Sequence, residues 1–545
     1  MRERQTAVSR VTNPPTIVTT FQLFFFFHLL STVASYNPVD HFSVNCGGSG
    51  NFSSPDGRNW TGDIDSGLFS LIELSNSNKS SVGDNADGKP IPYNIARFSR
   101  SEFSYLFPVK TDGQKFIRLY FYPSSYNPNF PRSDAFFSVK AGPHILLKNF
   151  NASLNADANA GFGSGPSAYL KHAAGEQGAI VREYCVNVDS GRRLNITFTP
   201  NESYPNAYAF VNGIEIISMP PFLYYTKPDD QQSMRLSDGN MQFPVQNSSA
   251  LETLYRANAG GRQIPSDKDT GMYRYWDQDN DYLERQRPLS ISAGFGLHPV
   301  YRDDQNYFAP DEVYMTARNY GMKETSKFNV TWEFEVDSEF FYMVRLHFCE
   351  FDEHIEKVGD RVFQIFINDA LVESVADVML WTQSQRNVPA HRDYAASMQG
   401  KGSLKKLNLS IKLQPHPTAR STYRDVLLNG IEILKISDYN DNLAGPNPDP
   451  PLPAPLTSFK TLKNRNTVKA IPIVVGATSG FIVLSLVVLL IFRQFIRAPV
   501  KEGSSWWGQK SVDSSKKNKP RGSSSLPSDL CRYFSIDEIR AATSN

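Results

Sequence analysis

Two short stretches of this 545-residue chain carry residue types used in phosphoryl transfer. His391-Arg-Asp393 has the order of a kinase catalytic loop, whose Asp accepts the substrate hydroxyl proton and whose later Asn binds a metal ion. Met398 stands where that Asn is needed. Gly161-Phe-Gly-Ser-Gly165 has the glycines of a phosphate cradle, but no lysine-bearing strand follows it, and a loop is the plainer expectation. Glu350 and Asp352 are carboxylates of the kind glycosidases pair. Such a pair is recognised by its separation, which a sequence does not give, and solvated loop charges are the commoner case. Cys46, Cys185, Cys349 and Cys531 lack metal-ligand spacing and are too few for a disulfide scaffold. No nucleophile elbow, HExxH or paired-glycine dinucleotide turn is present. The expectation is no catalytic residue, no metal and no cofactor.

Binding chemistry is better represented. A sugar site needs aromatic faces and convergent polar groups in a concave patch. Candidates are the loops at Asn45, Gly47 and Gly48 and at Asn258, Gly260 and Gly261, with nearby Tyr273, Tyr275 and Trp276. Glycines in tight turns and aromatics in a core are the more frequent use of the same residues. Nine N-x-S/T sequons, at Asn51, Asn59, Asn78, Asn151, Asn195, Asn201, Asn247, Asn329 and Asn408, are candidate N-glycosylation sites. A net charge of +1 with 20% charged residues predicts no bulk affinity for nucleic acid.

The elements that must position these residues begin outside a membrane. Arg2, Arg4 and Arg10, the apolar run Phe21 to Leu30 and the small residues near Ala34 have the plan of a secretory signal peptide, assigned to 1–35. A second apolar run, 471–492, carries no charge and is long enough to cross a bilayer once as a helix. Gly476 and Gly480 within it are spaced to let two such helices pack as a dimer, although glycine is common in membrane helices. All nine sequons precede this run, so the chain reads as type I, with 493–545 cytoplasmic and mostly disordered. Three of the four cysteines are then extracellular, so at least one of their thiols is unpaired or pairs between chains.

The exterior contains one domain twice. Val44-Asn-Cys-Gly-Gly48 is echoed by Ala257-Asn-Ala-Gly-Gly261, and Pro92-Tyr-Asn-Ile-Ala-Arg97 by Val313-Tyr-Met-Thr-Ala-Arg318. Phe116-Ile-Arg-Leu-Tyr-Phe121 returns as Met343-Val-Arg-Leu-His-Phe348, and Leu194-Asn-Ile-Thr197 as Leu407-Asn-Leu-Ser410. Asn212-Gly-Ile-Glu-Ile216 returns as Asn429-Gly-Ile-Glu-Ile433. Short apolar runs between Gly, Pro, Asn and Asp turns predict two all-β sandwiches, 36–218 and 251–437. A polar connector, 219–250, lies between them, and a Pro- and Asn-rich extracellular stalk, 438–470, follows.

These paired openings and closings resemble tandem malectin-like domains. The stalk Asn442-Leu-Ala-Gly-Pro-Asn-Pro448 and the segment Leu530-Cys-Arg-Tyr-Phe-Ser-Ile-Asp-Glu-Ile-Arg-Ala-Ala-Thr543 resemble the FERONIA-type receptor kinases of plants. The resemblance spans nearly the whole chain after 1–35. It implies jelly-roll-like β-sandwiches and a plasma-membrane receptor for secreted rapid alkalinisation factor peptides. It also implies a GPI-anchored co-receptor and the monitoring of cell-wall pectin. Cys46 and Cys349 fit the family pattern, whereas Cys185 is not associated with it and its state stays open. The family's serine/threonine kinase domain is expected after the Ala-Ala-Thr segment, and the sequence stops at Asn545, so no enzymatic activity is expected of this chain. The alternatives are a lectin-like anchor for wall polysaccharide and a truncated decoy receptor.

Overall fold

The computed structural model describes residues 36–64, 66–73, 80–84, 89–160, 178–227, 234–237, 241–284, 288–302, 306–320, 329–400, 404–418 and 421–449. The expected signal peptide, membrane helix with Gly476 and Gly480, cytoplasmic segment, Cys531, Asn78 and the loop Gly161 to Gly165 lie outside them. Among the described residues no helix is long and apolar enough to cross a membrane.

Strands dominate, as the turn-rich sequence predicts. The first copy supplies β1 (His41–Ser49), β2 (Gly113–Phe121), β3 (Phe136–Ala141), β4 (His144–Asn151), helix α1 (Ala152–Ala160), β5 (Ile180–Val188) and β6 (Gly213–Ser218). The second supplies β7 (Leu251–Asn258), β8 (Phe341–Phe348), β9 (Phe363–Ile367), β10 (Ala370–Ala376), helix α2 (Val378–Trp381), β11 (Ala390–Ser397) and β12 (Gly430–Ile436). One sheet runs through both copies in the order β11-β8-β12-β7-β5-β2-β6-β1. Its interior strands β2 and β12 are buried almost throughout, because both faces are covered. A second sheet packs on each copy. In the first copy it ends on β3 and β4, and in the second on β9 and β10. Lys406–Pro415, in the second of these, alternates inward Leu409, Ile411 and Leu413 with less buried neighbours, as a half-covered strand must.

Each copy buries its own apolar cluster between its two sheets. A third cluster, including Phe116, Cys185, Tyr224, Leu251, Met343 and Leu434, sits on the shared sheet where the copies meet. There β5 pairs antiparallel with β7 through Glu183↔Thr253, Tyr184↔Glu252 and Cys185↔Leu251.

Two segments differ from expectation. The connector is polar by composition, yet Met219, Leu223, Tyr224 and Tyr225 are buried in the third cluster, and Met234–Leu236 adds a short parallel strand beside β11. The stalk is not free from its start. Asp441, Leu443 and Asn447 lie against the first copy, with Leu443 fully buried in its core, while the Leu443 carbonyl and Asp449 meet Lys435 and Lys405 of the second. Neither outcome has a periodic signature, since each depends on a few apolar side chains in otherwise polar stretches.

Candidate functional site

The repeated openings are built around a buried carboxylate. In the first copy Asp63 accepts the N–H of Gly47 (2.8 Å), two guanidinium N–H groups of Arg97 (2.6 and 2.7 Å) and the hydroxyl of Tyr105 (2.5 Å). In the second, Asp279 accepts the N–H of Gly260 (3.1 Å), the Arg318 guanidinium (2.6 Å) and the Trp332 indole N–H (2.9 Å). Arg97 and Arg318 end the same repeated motif, so the repeat encodes one anchor twice. Gly47 and Gly260 have φ of +90° and +74°, and a Cβ on either would meet the carbonyl of Ala96 or Ala317. Glycine here lets the chain turn against a neighbouring strand.

This geometry removes several predicted sugar contacts from the surface. Asn45 and Asn258 are buried, and Gly48 and Gly261 pack against their amides. Asn258 donates to the Arg262 carbonyl and accepts from the Thr316 hydroxyl. Trp276 is fully buried, edge-on to His347, and its backbone pairs with Ile264. Tyr275 is half-buried and donates to Gln263. Tyr273 leaves the second copy in a left-handed turn (φ 56°). Its ring lies 5.3 Å from that of His41 and 5.6 Å from the Arg58 guanidinium, both in the first copy. Tyr273 thus bridges the copies, and the other two aromatics serve packing.

The repeated strand motifs meet in a second buried constellation. Arg118 on β2 faces Glu215 on β6 (2.7 Å) and Glu183 on β5 (2.7 Å). Arg256 on β7 reaches across to Glu183 (2.6 Å) and along its own copy to Glu432 on β12 (2.8 Å). Glu432 also accepts from Tyr224 (2.6 Å) and faces His347 (3.0 Å), whose other ring nitrogen meets the Tyr314 hydroxyl. Burial alone would raise the carboxyl pKa values, but the arginines outweigh it at Glu183 and Glu215, and the His347 hydrogen bond followed by Arg256 outweighs it at Glu432. Glu183 falls to about 2, and Glu215 and Glu432 lie well below the ordinary range. The network holds its charges in fixed pairs across the two copies.

The other candidates have structural partners too. Asp393 is gripped by Arg345 on two N–H groups (2.8 Å each), and burial, then Arg345, drives His391 down to about 3. Glu350 and Asp352 share Arg361. Burial raises Glu350, while hydrogen bonds and Arg361 outweigh burial to hold Asp352 below its usual value. Cys46, Cys185 and Cys349 are free and buried, and burial pushes each thiol up. No group of three or more potential metal ligands occurs among the described residues.

Of the sequon asparagines, Asn51, Asn59, Asn195, Asn247, Asn329 and Asn408 are exposed and Asn201 is half-buried. Asn151 is the exception. It is buried, and its side-chain oxygen accepts the N–H of Leu154 (2.9 Å) at the start of α1. A sequon pattern cannot distinguish this N-cap from a surface asparagine. Asp63, Asp279 and Glu183 were equally hidden in the sequence, since none lies within the repeated motifs.

A family profile described as malectin-like domain matches residues 44–436. The receptor-like protein kinase FERONIA of Arabidopsis thaliana is 38% identical over 95% of this chain and 57% of its own length. The receptor-like protein kinase ANXUR2 of the same plant is 32% identical over 96% of this chain and 60% of its own. The chain therefore spans somewhat over half of these relatives. A crystal structure of the plant receptor-like kinase FER, at 38% identity, covers 75% of this chain and 100% of that one with a TM-score of 0.63. The structure of the peptide RALF23 in complex with FER and LLG2 matches at 38% identity, covering 76% of this chain and 99% of that one with a TM-score of 0.63.

Proposed function

Because this chain belongs to the malectin-like domain family, we propose that it is the ectodomain-bearing part of a FERONIA- and ANXUR-type plasma-membrane receptor. Its ligand is a secreted peptide of the rapid alkalinisation factor class, bound together with a GPI-anchored co-receptor. The observation that carries this reading is the similarity, at 38% identity, to a receptor crystallised with such a peptide and a third protein, LLG2. The two copies, 36–218 and 251–437, form the outer region. The chain crosses the membrane once at 471–492, and a serine/threonine kinase belongs to the signalling receptor.

The physical state of the site fits protein recognition better than direct sugar capture. The asparagines and the tryptophan that could have faced a sugar are committed to turns and cores. The test is binding of the purified chain, by titration calorimetry, to a rapid alkalinisation factor peptide with and without the co-receptor, beside pectin fragments. Saturable peptide binding that tightens with the co-receptor is expected. Retention of pectin alone would favour the lectin-like reading.

A further inference from the structure

The segment after the second copy shows how this fold takes up an extended chain. β4 is the outermost strand of its sheet, but its outer edge is occupied. The N–H of Ile145 donates to the carbonyl of Asp441 (2.8 Å), and the N–H of Leu443 donates to the carbonyl of Ile145 (2.9 Å). Asn442 thereby forms a parallel bridge to Ile145, with Leu443 inserted into the core. Asn447 then accepts the N–H of Asn151 (2.9 Å) and donates to the Asn149 carbonyl (2.7 Å).

The second copy reproduces this edge residue for residue. Pairs His144↔Ala141, Ile145↔Lys140, Leu147↔Val139 and Phe150↔Phe137 between β4 and β3 become Ala370↔Ile367, Leu371↔Phe366, Glu373↔Ile365 and Ala376↔Phe363 between β10 and β9. Both sets carry the same two irregularities and differ by a constant 226 positions (144 to 370, 137 to 363). The equivalence continues into the helices. Asp377 accepts the N–H of Leu380 at the start of α2, as Asn151 accepts that of Leu154 in α1. Leu371 therefore stands where Ile145 stands, with its N–H and C=O turned outward. Yet β10 ends its sheet, and among the described residues nothing bridges to Leu371 on that side. Leu371 and Val375 are 47% and 48% exposed. Proteins normally blunt such an edge with lysine, proline or a covering segment. β10 has no lysine or proline, and its one charge is Glu373.

We propose that the outer edge of β10 is a docking site for an extended segment of a partner polypeptide, received by strand addition as β4 receives Asp441 to Leu443. One partner residue accepts the Leu371 N–H through its carbonyl, and the residue two positions on donates its N–H to the Leu371 carbonyl. An aliphatic side chain covers Leu371 and Val375. A basic side chain lies beside Glu373, which replaces the buried Leu147 of the first copy. A second copy of this chain is a poorer occupant, since two-fold antiparallel pairing centred on Glu373 would set like charges opposite each other. The site stands on the internal equivalence and needs neither the peptide nor the co-receptor of the proposed function.

The test uses the full chain and two acetylated heptapeptides, one alternating lysine and valine around a central leucine, the other with glutamate in place of lysine. Backbone amide exchange is followed at 145 and across 370–376. In the free chain the Ile145 amide should be protected and the Leu371 amide should exchange rapidly. The lysine peptide should slow exchange at Leu371 and bind roughly fivefold more tightly than the glutamate peptide, the scale of one cross-strand charge pair made or opposed. Glu373→Lys should reverse that preference. Leu371→Pro, which removes the N–H at an edge that tolerates proline, should abolish binding. If Leu371→Pro fails to fold, the Glu373→Lys reversal still decides. Protection of Leu371 in the peptide-free chain, or no effect of the lysine peptide at millimolar concentration, would overturn the proposal. So would an unchanged preference in Glu373→Lys, or protection that rises with chain concentration alone.

Discussion

Asn151 shows how one residue can satisfy a modification motif and still have another task. Its oxygen caps α1, and its equivalent in the second copy is Asp377, an acid that no glycan can occupy. Asn151→Asp should therefore leave glycoform mobility unchanged but cost stability, since the buried Asn151 amide also donates to the Ser133 carbonyl (3.1 Å), where Asp377 instead accepts the Gly359 N–H. Asn151→Ala should lose about 1 kcal/mol, the usual worth of an N-cap. A mobility shift in Asn151→Asp, like that expected for Asn195→Gln, would show that Asn151 carries a glycan. A second residue-scale prediction concerns pH. Burial, then Arg345, lowers His391 from 6.5 to about 3 in the fold, with His347 and Arg392 acting in the same direction and Asp393 opposing. As pH falls below about 6.5 the unfolded chain takes up this proton first, and the folded chain takes it only near 3. The stability is full above about 6.5 and declines toward 3, by at most about 1.4 kcal/mol per pH unit for one such group. Glu183, held at about 2, adds loss of the same sign below its ordinary 4.5. The melting temperature should fall from pH 7 to pH 4, and His391→Asn should flatten that fall. Parallel profiles in variant and parent would remove His391 from the account.

At the scale of elements, the opening turns are the most demanding local structures. Gly260 combines a left-handed φ with a neighbouring carbonyl where a Cβ would sit. Gly260→Ala should destabilise by about 2 kcal/mol or more, since an L side chain at positive φ is strained even without the clash. Gly296, also at positive φ but with open space around it, should lose less on the same substitution. Denaturant midpoints of the two variants make the comparison. The contrast also shows what the sequence could reveal. The two openings are visible as repeated Asn-x-Gly-Gly, and the repeated Arg97 and Arg318 stand in plain view. Joining them needs Asp63 and Asp279, which lie in segments without a repeated motif. The Arg and Glu of the strand motifs are likewise visible, but their pairing depends on strand register, which distant motifs do not encode. Tyr224 and Leu443 sit in polar stretches, and only the assembled sheets give them somewhere to be buried. The β10 edge is defined by a register it shares with β4, which no local pattern in the sequence encodes.

At the scale of the whole described body, the question is whether the two copies behave as two domains or one. They have separate apolar clusters but share a sheet, a junction cluster and a crossing charge network. Arg256 is the centre of that crossing. It is fully buried and belongs to the second copy, yet it holds Glu183 of the first as well as Glu432 of its own. Arg256→Met keeps much of the side-chain volume and removes the cation, leaving two buried carboxylates short of their partner. Breaking a buried ion pair from one side costs about 3–5 kcal/mol where the remaining charge is uncompensated, and the cost here should lie at or below that range, because Glu183 keeps Arg118 and Glu432 keeps Tyr224 and His347. The loss should fall on both copies, since one of the two weakened carboxylates lies in each. The parent should unfold in a single calorimetric transition whose van't Hoff and calorimetric enthalpies agree. Arg256→Met should lower that transition as a whole or split it into two. Lys412→Ala, which removes a pair with the exposed Asp369 on the second copy, should change stability by no more than about 1 kcal/mol. Two separate transitions already present in the parent, with Arg256→Met moving only one of them, would mean that the shared sheet joins the copies without coupling their stability.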